Sequence, residues 1–383
     1  VVPRAVPGAV PVAVVAGALA VSAWLTVRYG LFNLGRIASD DVGIHSDFET
    51  FHASAVALVR GEPIYGTAAR LPNLNPPLLT VLLAPFAALD VLVAYRLWTL
   101  LTLVLVVGSV LVAAREAGLA PGRAGAAVAA VLLGAPLQAT LGLGQIYGLL
   151  TVALTAAWIA VRRGHPVAAA VAAGLAVAVK PTLAPVLLVP AVARRWRAAV
   201  AGLGAAAAAT ALGAAVAGPG ATIEWVRLLL GQPVATYFDN ASLPATLVRL
   251  TSDTGWGEPV VELPGGYGVG LVLGLLAVAL TCRWARDDLA VWAVAAAALL
   301  ASPVTWNTYL VVLVPGVVAL LARSPRVAAP LLALSLIGQE WPALWYGPDG
   351  TASAVPLSLY CAVLLAHWVA LTRESRRAGQ GPP

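Results

Sequence analysis

The number of long apolar runs limits this chain's fold more than any other feature. Segments at about 9–28, 77–89, 91–114, 124–140, 145–161, 165–179, 181–193, 198–217, 267–282, 288–302, 305–322, 327–338 and 354–372 carry almost no charge. A stretch of about 18 apolar residues is already a membrane-span candidate. Only 10% of the 383 residues are charged and 60% are hydrophobic, whereas a soluble domain carries roughly 25% charged residues. In hydrocarbon each span must satisfy its own backbone hydrogen bonds, which favours helices. The expected fold is all-α, a polytopic integral membrane protein.

The run at 9–28 reads as a first transmembrane helix rather than a signal peptide, because no clear cleavage site precedes the polar loop. Polar stretches lie at 30–76, 218–266 and 339–352, and a short polar tail, expected to be disordered, begins at Arg373. Ala-rich runs such as 204–217 favour helix and let helices approach closely. Cys282 and Cys361 lie in or beside apolar segments with no metal-ligand spacing, so both read as buried thiols.

Charge gives the topology. Basic clusters occur at Arg4, Arg115/Arg123, Arg162/Arg163, Arg194/Arg195/Arg197, Arg283/Arg286, Arg323/Arg326 and Arg373/Arg376/Arg377. The net charge of +6 then reflects the positive-inside bias, not nucleic-acid binding. All clusters are cytoplasmic together if segment 77–89, framed by Pro76, Pro77 and Pro85, is re-entrant or interfacial. Twelve crossings remain, with both termini inside. Every large polar loop then falls on the outer face, which receives residues 45–52, Gln145, Lys180, the 218–266 loop, Trp306–Asn307 and Glu340–Trp341. Polar groups gathered on one face of an apolar protein suggest a site there.

In HSDFETFH, residues 45–52, Ser46 and Glu49 fit a capping box that would start a helix, and Asp47 is either an ordinary first-turn acid or a catalytic carboxylate. Phe48, Phe51, Ala55, Leu58 and Val59 follow at helical spacing, as in a helix lying in the interface. Lys180 is the single lysine and ends an apolar run on the face where bare cations are disfavoured, so anion binding, above all of phosphate, is expected. Arg249 in FDNASLPATLVR is a second cation on that face; Asn240 and Ser242 precede it. Gln145 and Asn307 are uncharged residues at helix starts, where capping and substrate contact are about equally supported. Trp306 and Tyr309, or Trp341 and Tyr346, could stack on sugars, although interfacial aromatics need no ligand. His45 and His52 lack the i, i+4 spacing of a helical metal pair, so no metal is expected; His165 and His367 lie elsewhere. P-loop, dinucleotide, GxSxG and HExxH patterns are absent.

Six stretches occur in a telling order: DFETFHASAVALVRGEPIY, NPPLLTVLLAPFAAL, GQIYGLL, AAGLAVAVKPTLAPVLL, DNASLPATLVR and SPVTWNTYLVVLVP. From about residue 40 to 322 the chain resembles glycosyltransferase family 87. These are bacterial membrane enzymes of the GT-C superfamily, among them mycobacterial mannosyltransferases that elongate phosphatidylinositol mannosides. The resemblance implies one transmembrane catalytic domain over 1–372, with external loops at 30–76 and 218–266 and a cytoplasmic tail at 373–383. It implies a polyprenyl-phosphate sugar donor, typically mannose, used with inversion on the outer face of the cytoplasmic membrane and without a nucleotide. No cofactor is expected, since the lipid-linked sugar is a substrate. The family's first-loop aspartate, the proposed base, falls on Asp47, and its K-P-T lysine on Lys180; Arg249 would join Lys180 on the donor phosphate. Expected partners are the donor, a glycolipid, lipoglycan or polysaccharide acceptor, and membrane lipid. Two departures, Tyr147 and the run Trp306–Tyr309, leave acceptor and sugar open, and an arabinofuranosyl donor is an alternative. A transporter or flippase of lipid-linked sugars would need a polar path to both faces and inverted repeats, neither of which is clear here. A membrane scaffold would not explain an aspartate and a lysine converging on one face.

Overall fold

The computed structural model describes residue 24 and residues 35–338 and 350–378. Among these the chain is all-helical, with one isolated bridge between Asn240 and Trp306. The expected first span lies almost wholly outside the described residues, as do Glu340, Trp341 and Tyr346. The helices are α1 (Ser46–Arg60), α2 (Pro77–Leu83), α3 (Val91–Glu116), α4 (Pro121–Leu133), α5 (Ala135–Leu143), α6 (Tyr147–Arg162), α7 (Pro166–Val179), α8 (Leu188–Val192), α9 (Trp196–Ala217), α10 (Pro219–Gly231), α11 (Leu243–Thr251), α12 (Gly266–Trp284), α13 (Ala290–Ala301), α14 (Leu310–Arg323), α15 (Pro325–Leu334) and α16 (Ala354–Ala378).

Local chemistry sets these boundaries. Five helices begin on a proline, whose missing N–H costs nothing in the first turn. α1, α3, α5 and α6 end at Gly61, Gly118, Gly144 and Gly164, each at positive φ. At each end the next residue's N–H reaches back to a carbonyl of the last turn, as in Glu62 to Ala57 at 2.8 Å.

α3, α9, α12 and α16 are long and apolar enough to cross a membrane, and α4 with α5 makes a fifth candidate bent by 51°. The sequence pattern shows one unbroken apolar segment over 124–140. Extended Gly134, followed by Pro136, breaks the helix there. The other apolar helices have 10–17 residues, so the expected twelve full crossings are not resolved by helix length. The 77–89 segment is α2 followed by a 3-10 turn over Ala84–Ala88. At about 1.5 Å per residue it falls well short of the roughly 30 Å hydrocarbon core.

Close packing depends on missing side chains. α7 lies most extensively against α9, and a Cβ on Gly174 would sit 2.3 Å from the Gly202 carbonyl oxygen. Backbone cannot yield there as a flexible side chain could. Gly174→Val is expected to destabilise the protein by about 1–3 kcal/mol, measured as a lower melting temperature in detergent. An unchanged melting temperature would contradict this helix contact.

Among the described residues, arginines of several clusters meet at one end. Arg162 bonds Asp288 at 2.8 Å, Arg163 bonds Glu116 at 2.7 Å, and Arg323 pairs with both Asp287 and Asp288. α16 joins them through Ser375, which donates to Asp287 at 2.6 Å. These bonds carry the helix to Ala378, past the expected start of a disordered tail at Arg373. α6 runs from this cluster back to Tyr147, and α14 to Tyr309. The two tyrosine rings meet at 4.4 Å, which defines the opposite end of the bundle.

Candidate functional site

α1 spans 46–60 as its apolar spacing predicts, burying Phe48, Phe51 and Ala55. Its start differs from the expected capping box. A 3-10 turn over Val42–His45, capped by Asp41, runs directly into the helix, so Ser46 is already helical and its side chain caps nothing. Val59 points outward.

Two histidine contacts fix α1, the first of them buried. His45 stacks on Tyr95 with ring centroids 3.6 Å apart, and its Nδ1 lies 2.7 Å from the Gly142 carbonyl. His52 Nε2 sits 3.2 Å from the carbonyls of Phe86 and Leu89. Both histidines therefore hold α1 against α3, α5 and the 77–89 segment, through His45 Nδ1 and His52 Nε2.

This docking presents Asp47. Its Oδ2 accepts a 2.8 Å hydrogen bond from Gln145 Nε2. Gln145 follows Gly144, whose positive φ reverses the chain between α5 and α6; a Cβ on Gly144 would lie 2.5 Å from Phe48 Cβ. Trp98 Nε1 clamps the same turn through the Gly144 and Gln145 carbonyls at 3.1 and 3.2 Å. No hydrogen bond among the described residues falls on Asp47 Oδ1. Burial raises the Asp47 pKa from 3.8 to about 6, against the opposing pull of the Gln145 hydrogen bond and the Lys180 charge.

Lys180 ends α7, where Pro181 stops the helix. Its Nζ donates to Asn75 Oδ1 at 2.9 Å and lies 5.5 Å from the centre of the Tyr309 ring. Asn75 is itself held: its backbone carbonyl accepts from Tyr65 at 2.8 Å, and its side-chain amide reaches Asn73 Oδ1 at 3.3 Å. Asn73 continues to Ser54 on α1 at 3.0 Å. A buried polar chain thus links the Lys180 support to the helix that carries Asp47. Sequence patterning missed Asn73 and Asn75, although two amides in NLNPP were an available signal in so apolar a chain.

Other expected residues go elsewhere. Arg249 is 1% exposed, and its guanidinium donates to the carbonyls of Leu357, Tyr237 and Asn240 and to Thr246 Oγ1. Those bonds hold α11 against α16 and are a structural correction to its expected place on a phosphate. Burial lowers its pKa to about 10. Asn240 donates to the Ala235 and Pro303 carbonyls and accepts from the Ser242 and Thr305 amides, stitching the loop before α11 to residues 303–305. Ser242 caps α11. Asn307 and Tyr309 form a buried 3-10 turn before α14, with Trp306 partly buried beside them. Tyr309 is 3% exposed and covered by Tyr147, so it backs Lys180 and does not offer a face to a sugar. Among the described residues no group of three or more His, Cys, Asp or Glu could hold a metal.

The sequence profile of glycosyltransferase family 87 matches residues 73–303. That span includes Asn75, Gln145 and Lys180 and begins after Asp47. A polyprenol-phosphate-mannose-dependent alpha-(1-2)-phosphatidylinositol mannoside mannosyltransferase of Mycobacterium tuberculosis is 31% identical over 321 residues, which cover 76% of this chain and 74% of that protein.

Proposed function

The chain belongs to glycosyltransferase family 87, and from that premise we propose that it transfers mannose from a polyprenyl-phosphate donor to a hydroxyl of a glycolipid or lipoglycan. The carrying observation is that Lys180 lies near enough for its charge to act on Asp47. They stand 133 positions apart in sequence, yet each is fixed by its own buried amide and the lysine's charge acts on the carboxylate. The similar mycobacterial protein supports mannose as the sugar and a mannosylated phosphatidylinositol as the kind of acceptor. The positive-inside bias supports an inner-membrane enzyme with this site on the outer face.

The chemistry is a single displacement. The acceptor oxygen attacks the anomeric carbon as its proton passes to Asp47 Oδ1. The bond from that carbon to the donor phosphate oxygen breaks, and polyprenyl phosphate leaves with the electron pair. Attack opposite the leaving group inverts the anomeric centre. Gln145 holds Oδ2 and so aims Oδ1. Lys180 offsets charge on the departing phosphate, the type of contact that strengthens in the transition state.

Membranes holding the protein should move label from polyprenyl-phosphate mannose into a glycolipid and release one polyprenyl phosphate per sugar. Label that crosses the bilayer still attached to its carrier would instead indicate transport. The base assignment also predicts a pH profile. With a pKa of about 6, Asp47 is mostly ionised at pH 7, and kcat/KM should fall tenfold per pH unit below about 6. A profile flat down to pH 4.5 would remove Asp47 as the base.

A further inference from the structure

The arginine-rich end holds a feature that transfer at Asp47 does not use. A cleft of about 590 Å³ opens between α6, α7, α8, α12 and α13. Its inner wall is apolar, with Ala157, Ala173, Val186, Leu187 and Val294. Its charged lining consists of Arg162, Arg195, Arg286, Asp287 and Asp288. Asp287 and Asp288 are already neutralised by Arg323 and Arg162. An adjoining hollow is lined by Arg194, Arg283 and Arg286. Arg194, Arg195, Arg283 and Arg286 are exposed, and their side chains make no hydrogen bond or ion pair among the described residues. Trp196 is exposed beside them, as are Leu188 and Val192, which sets the mouth at the level where headgroups meet acyl chains.

The backbone adds an independent sign. α8 ends with the same reversal as the four glycine-ended helices: Arg195 N–H reaches the Pro190 carbonyl at 2.8 Å and Arg194 N–H the Ala191 carbonyl at 2.9 Å. Here the left-handed residue is Arg194, at φ 55°, the single non-glycine with positive φ among the described residues. Glycine would hold that conformation without the Cβ penalty. Strain retained at one position points to a use for its side chain.

We propose that this cleft binds an anionic phospholipid of the leaflet at the arginine-rich end. Arg194, Arg195, Arg283 and Arg286 would surround its phosphate, and an acyl chain would lie along the apolar wall. Basic pockets between membrane helices suit such headgroups. The unpaired cations make the phosphate preferable to a zwitterionic head, and the apolar wall makes a lipid preferable to a free ion.

The test uses the full-length protein in an uncharged detergent. Dioleoyl phosphatidylglycerol is expected to raise the melting temperature and to slow thiol labelling of Cys282, which lines both hollows while Cys361 is buried. Phosphatidylcholine and inorganic phosphate should do neither. Each arginine near an anionic surface is worth roughly fivefold in affinity, so Arg195→Gln with Arg286→Gln should weaken phosphatidylglycerol binding about thirtyfold. Arg123→Gln, at the same end but outside the cleft, should leave binding unchanged. Arg194→Gly should raise the lipid-free melting temperature while weakening binding, a combination that damage to the fold would not produce. Equal protection of Cys282 by phosphatidylcholine or by phosphate alone would overturn the proposal. So would undiminished binding in the double variant.

Discussion

Asp47→Asn is expected to lower kcat for mannosyl transfer by about 10²–10⁴-fold, the range that a positioned general base supplies. Asparagine keeps the shape and can still accept from Gln145, but it cannot take the acceptor's proton. The variant should fold at least as well as the parent. A carboxyl whose pKa rises from 3.8 to about 6 on folding favours the folded state while it is protonated, below pH 3.8. That advantage, about 3 kcal/mol, is lost as pH rises through 6. At pH 7 the ionised Asp47 is therefore a burden that asparagine removes. An unchanged or higher melting temperature with transfer slowed by that factor is the expected pair of results. A lower melting temperature would show that the carboxylate holds the structure together.

Lys180→Met should lower kcat/KM by about 10²–10³-fold, comparable to losing one preorganised contact to developing charge. It should also change the pH profile in a stated direction. The Lys180 charge pulls the Asp47 pKa down, so its removal should move the acid limb above pH 6. A lysine that merely snorkelled to the interface would leave that limb in place. Measuring residual activity across pH 5–8 distinguishes the two roles.

The sequence pattern was most informative where one physical rule dominated. Hydropathy gave the all-helical membrane class, and the arginine clusters gave their common end, now seen in the bonds from Arg162 and Arg323 to Asp288. Spacing of Phe48, Phe51 and Ala55 gave α1 its extent. Single-residue chemistry was less legible. Arg249 and Lys180 look alike in sequence, as lone cations on one polar face. Only three-dimensional packing shows that Arg249 is surrounded by carbonyls while Lys180 reaches Asn75 and its charge acts on Asp47. Ser46 and Glu49 satisfied the capping-box pattern, but residues 42–45 had already begun a 3-10 turn, and a pattern of four residues cannot see the turn before it. The break at Gly134 was hidden because the apolar run continues through it.

In the proposed mechanism Asp47 and Lys180 act on opposite sides of one bond, the carboxylate on the incoming hydroxyl and the ammonium on the outgoing phosphate. Equilibrium binding of polyprenyl phosphate to the purified protein tests this most directly, since that ligand carries the phosphate and no sugar. Asp47→Asn should bind it as tightly as the parent or more tightly, because a negative charge near the phosphate is gone, and Lys180→Met should bind it at least about tenfold more weakly. Parent-like binding by Lys180→Met, or weakened binding by Asp47→Asn, would contradict the division of labour between the two residues.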